Sequence, residues 1–118
     1  MKVIVFDDEL RERAALYKMP ELTLLCFDHA DDAVAIVAAE RPDVVLMDYT
    51  MHAELDGTQA IAALKRLGLP VRIVAISGDR VRNLALVAAG ADDAVPKTHL
   101  RGYLHKLIEH ERLGRIRS

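Results

Sequence analysis

The chain has little cysteine and no large excess of charge of either sign. A single cysteine, Cys26, stands among 118 residues, so no internal disulfide can form and a reducing, intracellular setting is expected. Lys and Arg total 16 against 18 Asp and Glu, a formal net charge of −2. Such a surface holds no reservoir of positive charge for gripping a phosphate backbone, which argues against nucleic-acid binding. No apolar run approaches the ~18 residues that would cross a bilayer, and no basic start leads into the apolar stretch of a secretion signal. The expectation is a cytoplasmic protein without membrane attachment. The glycine patterns that cradle nucleotide phosphates, GxGxxG and GxxxxGK[ST], are both missing. His105 and His110 stand five positions apart, not the four of a zinc pair on one helix face, and read as surface residues with the other histidines.

What the chain does have is short, regularly spaced apolar runs: Lys2 to Phe6, Leu22 to Phe27, Val44 to Met47, Val71 to Ile76, and a weaker one at Ala94 to Val95. None alternates with polar residues, the pattern of parallel strands buried on both faces. Between them the spacing is helical. Leu10, Ala14 and Tyr17 fall at i, i+4, i+7, as do Leu100, Leu104 and Leu107, while Val81, Leu84, Ala85 and Ala88 form an i, i+3, i+4, i+7 stripe. Asp28 is placed to cap a helix starting near Asp31, and Thr98 to cap the last one. Strand and helix alternate five times without repeat or linker. With right-handed crossovers this gives an α/β doubly wound fold: a five-stranded parallel sheet of the flavodoxin-like kind, strand order 2-1-3-4-5, helices on both faces. Residues 1–113 make one domain; 114–118 read as a basic tail, either a frayed end or the start of a linker.

In such a sheet the ligand site lies beyond the carboxyl ends of the strands, at the switch point between strands 1 and 3. Strand 1 ends in Asp7-Asp8-Glu9, strand 3 in Asp48, strand 4 in Ser77-Gly78-Asp79 and strand 5 in Pro96-Lys97. Three carboxylates, Asp7, Asp8 and Asp48, therefore converge. They would repel one another unless a cation were shared among them, and a hard divalent ion such as Mg²⁺ takes oxygen ligands of this kind. A carboxylate beside such an ion can act as a nucleophile toward a phosphoryl group. Asp48, at the end of the central strand, would be that nucleophile, with Lys97 balancing one phosphoryl oxygen and the Ser77 hydroxyl donating to another. Each residue alone has an ordinary explanation as a cap, turn or surface charge; their joint arrival at four strand ends is the signal.

These residues resemble the receiver domain of bacterial two-component response regulators across essentially the whole chain. The matching stretches are Val3 to Glu9, Pro42 to Asp48 with Met51 and Asp56-Gly57 beyond, Ala75 to Asp79, and Gly90 to Lys97. The resemblance implies a phosphoacceptor rather than an enzyme that turns over an external substrate. Asp48 would be phosphorylated by a histidine kinase or histidine phosphotransferase, with Mg²⁺ held by Asp8, Asp48 and the Thr50 backbone carbonyl, and by Asp7 through water. A downstream protein or output domain would read the face made by the fourth helix, fifth strand and fifth helix, near which Arg80, Arg82, Asn83, His99 and Arg101 are expected to be exposed. Three features depart from the family pattern. One residue is inserted in the loop at His52 to Leu55, where a proline is also lost. Thr98 rather than proline follows Lys97, and Ala94 stands where an aromatic residue commonly does. A non-phosphorylated binding module and a small Mg²⁺-dependent phosphohydrolase remain the alternatives.

Overall fold

The computed structural model of the chain describes residues 1–9, 18–51 and 53–117, and for 115–117 the backbone alone. The helix expected through Leu10, Ala14 and Tyr17, and any role of His52, lie outside the described residues. The sheet comprises β1 (Lys2–Phe6), β2 (Thr23–Phe27), β3 (Val44–Met47), β4 (Arg72–Ala75) and β5 (Asp93–Ala94). All pairings are parallel, and the order is β2-β1-β3-β4-β5, as expected from the sequence. Four helices are described: α1 (Ala33–Glu40), α2 (Gly57–Leu67), α3 (Arg80–Ala89) and α4 (Leu100–Arg117).

Alternation along each strand divides the core in two. Ile4, Phe6, Val45, Met47, Ile73 and Ala75 pack with Ala33 and Val37 of α1, Ala60, Ile61 and Leu64 of α2, and Leu86 of α3. Val3, Val5, Leu46, Val74 and Ile76 face the other way, against Leu100, Leu104 and Ile108 of α4. Helices thus cover both faces, and apart from Lys2 and Arg72 at their first positions the residues of β1, β3 and β4 are buried. The edge strands are the short β5 and the half-exposed β2, so Pro96, just past β5, interrupts no interior ladder.

Helix boundaries show what pattern reading could not see. α1 begins at Ala33 with Asp32, not Asp28, in the N-cap position; Asp31 is instead committed across the fold, accepting from the Leu55 N–H at 2.9 Å. That bond braces the loop carrying the inserted residue. Thr98 lies within a single 3₁₀ turn, Lys97–His99, which leads into α4, and its hydroxyl sits 3.1 Å from His99 Nδ1. α4 then runs unbroken past Leu113 to Arg117. On α3 the apolar stripe faces solvent: Val81 is 73% and Leu84 61% exposed, while the buried positions are Asn83 and Leu86.

At the start of α2, the Asp56 side chain accepts from the Gln59 N–H at 3.0 Å and the Gln59 side chain accepts from the Asp56 N–H at 2.9 Å, a reciprocal capping box. Burial alone would raise the Asp56 pKa, but hydrogen bonds from the Thr58 side chain and from backbone N–H groups outweigh it and hold the carboxyl below 3.8. Its stabilisation is therefore present above the unfolded value and lost as pH falls through the lower folded one. Asp56→Ala is expected to cost about 1 kcal/mol, read as a lower urea midpoint at unchanged slope; a neutral result would mean that the cap does not stabilise α2.

Candidate functional site

Strand register places the site. Phe6 of β1 is level with Met47 of β3, and Met47 with Ala75 of β4, so the next residues, Asp7 and Asp48, emerge side by side where the sheet ends. The ladder continues one step further through backbone bonds from Asp7 N–H to Phe27 C=O and from Asp48 N–H to Phe6 C=O, both 3.0 Å. With Phe6 and Met47 turned to one face, alternation sends Asp7 and Asp48 to the other, together. Ala75 is level with Ala94, which carries Ser77 and Lys97 to the same end of the sheet.

Carboxylate oxygens of Asp7, Asp8 and Asp48 lie within 4.8 Å of one another. Lys97 Nζ is 2.9 Å from Asp7 Oδ2, 3.1 Å from Asp48 Oδ2 and 3.7 Å from Glu9 Oε2. The remaining oxygens are held by the backbone, Asp7 Oδ1 accepting from Glu9 N–H and Asp48 Oδ1 from Tyr49 N–H, each at 2.8 Å. Both aspartates are buried, Asp7 completely. Burial, and secondly the charge of Asp7, raise the Asp48 pKa above 3.8, against the lowering influence of Lys97. For Lys97, burial works to lower the pKa, yet its bonds and charge contacts with Asp7 and Asp48 leave it above 10.5. One ammonium thus serves a cluster with more negative charge than it can balance. That surplus, offered by hard oxygen donors, fits a divalent ion of the Mg²⁺ type.

An open cleft at this end is lined by Asp8, Glu9, Asp48, Thr50, Ser77, Gly78, Asp79, Arg82 and Lys97. Every residue that the sequence assigned to the site is thus there: Asp8, Asp48, Thr50, Ser77 and Lys97 on the cleft, and Asp7 within the same cluster. Three others make contacts there that the sequence reading did not assign to them. Glu9 joins the Lys97 contacts. Arg82 reaches the cleft from α3, 3.8 Å from Asp79 and with its guanidinium 5.6 Å from the Tyr49 ring centroid; its i, i+3 spacing from Asp79 was the available signal. Asn83, expected to be exposed, is buried: its Oδ1 accepts from Ser77 N–H and its Nδ2 donates to Ser77 C=O, both at 2.8 Å. A polar residue on the buried side of an amphipathic helix reads as exposed until its partner is known. Arg80, His99 and Arg101 are exposed, as expected. The Lys97–Thr98 peptide is trans.

A family model described as the response regulator receiver domain matches residues 3–109. The chain is similar to the cyclic di-GMP phosphodiesterase response regulator RpfG of Xanthomonas campestris pv. campestris, 29% identical over 106 residues, which are 82% of this chain and 28% of that protein. It is also similar to the "Probable transcriptional regulatory protein NarL" of Mycobacterium tuberculosis, 34% identical over 82 residues, or 65% of this chain and 38% of that protein. The chain therefore spans well under half the length of these curated relatives. The solved signal receiver domain of NarL from Mycobacterium tuberculosis superposes with a TM-score of 0.74 at 26% identity, covering 92% of this chain and 93% of that one.

Proposed function

Because this chain belongs to the response regulator receiver domain family, we propose that it accepts a phosphoryl group on Asp48 and passes the change to a protein partner. The observation that carries this reading is the pairing of a buried, pKa-raised carboxylate with a lysine ammonium 3.1 Å away on the rim of an open cleft. The donor is a phosphohistidine on a histidine kinase or phosphotransferase. An Asp48 carboxylate oxygen attacks phosphorus, the phosphorus–nitrogen bond breaks, and its electron pair returns to the imidazole, which takes up a proton.

Asp7, Asp8, Asp48 and the Thr50 backbone carbonyl would hold Mg²⁺, which supplies charge neutralisation for the transferring group when bound. Lys97 gives a fixed positive charge, and Ser77, which lines the same cleft, can donate its hydroxyl proton to a phosphoryl oxygen. The Ser77 Oγ already accepts from the Asp79 N–H at 3.1 Å; donating outward leaves that bond intact. Downstream, the face containing α3, β5 and α4 is the surface that a protein partner or output domain reads, supported by the exposed Val81 and Leu84. No described helix is long and apolar enough to cross a membrane.

Incubation with Mg²⁺ and acetyl phosphate, followed by intact-mass measurement, tests the reading. The expected result is a mass gain of one phosphoryl group, dependent on Mg²⁺ and abolished in Asp48→Asn. Labelling that persists in Asp48→Asn would transfer the role elsewhere. Absence of labelling would favour a non-phosphorylated binding module, and steady phosphate release from an organic ester would favour a hydrolase. In the metal-free protein Asp48→Asn is also expected to raise the melting temperature by a few degrees, since it removes a carboxylate whose charged form is disfavoured by burial.

A further inference from the structure

Ser77 and Gly78 line two clefts at once. One is the Asp48 cleft; the other, on the far side, is bounded by Arg80, Asn83, Leu84, Ala94 and Pro96. The segment is a wall between them, and the second cleft opens where the small Ala94 leaves space. Consecutive hydrogen bonds make this wall stiff. Asp79 N–H donates to Ser77 Oγ at 3.1 Å, Val81 N–H to Asp79 Oδ1 at 2.8 Å and Asn83 N–H to Asp79 C=O at 3.0 Å. The Asn83 amide closes the ring on the Ser77 backbone with its pair of 2.8 Å bonds. Both halves of that amide are used, which fixes its orientation. It is also more than nine-tenths buried, so water does not replace the bonds cheaply if they break.

We propose that Asn83 is a positioning residue that locks Ser77 to the first turn of α3, so that an anion engaging Ser77 in the Asp48 cleft moves residues 77–84 as one body and reshapes the second cleft. The proposal rests on the reading of Asp48 as phosphoacceptor. With two bonds from one side chain to both sides of the Ser77 backbone, Ser77 cannot travel alone. Arg80 and Leu84 go with it, away from or toward Ala94 and Pro96. Exposed Val81 lies within the same moving body, which gives the change at Asp48 a route to the surface.

The test uses amide NMR of the full chain with and without Mg²⁺ and beryllofluoride as the phosphoryl probe. In the wild type, shifts are expected at Asp48 and Ser77 and also along Val81 to Leu84. In Asn83→Ala, the Asp48 and Ser77 shifts remain and those of Val81 to Leu84 collapse. Ser77 amide exchange in the metal-free protein becomes about tenfold faster or more, while β1 and β3 amides stay as protected as before. Asn83→Leu, which fills the space and favours helix, gives the same readings should Asn83→Ala fold poorly. Retention of the α3 shifts in the variants overturns the proposal, as does a wild type whose Asp48 and Ser77 respond while α3 stays silent. A wild type in which Asp48 itself fails to respond removes the phosphoacceptor reading, and the coupling with it.

Discussion

Gly57→Ala is expected to cost about 3 kcal/mol, at the upper end of what overpacking does, and to slow phosphoryl uptake at Asp48. A Cβ at Gly57 would stand 2.1 Å from the Asp48 carbonyl oxygen, 3.0 Å from its carbonyl carbon and 2.8 Å from Leu86 Cδ2. The leucine could turn aside; the carbonyl cannot, because Asp48 is tied into the sheet through its N–H and the Gly57 N–H is itself bonded to Tyr49 C=O at 2.9 Å. Either α2 lifts from the sheet, exposing Ala60, Ile61 and Leu64, or the end of β3 shifts and takes the Asp48 carboxylate out of reach of Lys97. Chemical denaturation measures the first, and the initial rate of labelling by acetyl phosphate the second. A loss under about 1 kcal/mol with an unchanged rate would show that the approach is looser than these distances require. The reason for glycine here is space, not a left-handed backbone.

Lys97→Met is expected to lose about 2–3 kcal/mol near neutral pH, somewhat below a fully buried pair because the lysine keeps some solvent contact. Its side chain is 24% exposed, whereas that of Asp7 is fully buried. Methionine fills the volume, but the aspartates are left without their cation. The pH dependence distinguishes this from a packing loss. Lys97 has its pKa raised, so the stability it brings is complete below the unfolded value of 10.5 and disappears as pH climbs through the higher folded value. Asp48 is raised as well, by burial first and by Asp7 second. The folded protein therefore holds that proton more tightly than the unfolded chain does, and the penalty at neutral pH eases as pH drops through the folded value toward 3.8. The difference in stability between wild type and variant should accordingly be largest between these limits and shrink toward both. A deficit that is flat with pH would mean that packing, not charge, is what Lys97 supplies. Added Mg²⁺ should stabilise the variant more than the wild type, since a second cation then replaces the missing one; equal stabilisation would argue against a shared ion site.

Much of the site was legible in the chain because each of its acids and its lysine terminates an apolar run, and a run buried on both faces has to be a strand. Asp7, Asp48, Ser77 and Lys97 could be placed at one end of the sheet without coordinates. Asn83 and Gly57 could not. Asn83 sits among residues whose helical spacing points the apolar stripe inward, at Val81, Leu84 and Ala88, yet the helix is rotated so that Asn83 and Leu86 face in. The deciding contact is with Ser77, close in the chain but across a turn, and periodicity carries no information about a specific hydrogen bond. Similarly, Asp28 and Thr98 have the right chemistry for caps, but the start of each helix is decided by what the preceding loop must reach.

By itself the sequence determined the class of fold and the order of chemical groups along the strand ends, because burial of unbroken Val, Ile and Leu runs leaves a parallel sheet with helices on both faces as the economical solution. Only the tertiary structure decided how Lys97 divides its bonds between Asp7 and Asp48, that Gly57 must yield its side chain to the Asp48 carbonyl, and that α3 shows its apolar side to water. Those outcomes depend on distances between elements far apart in the chain, set to fractions of an ångström by close packing, and no local pattern of residue types encodes them.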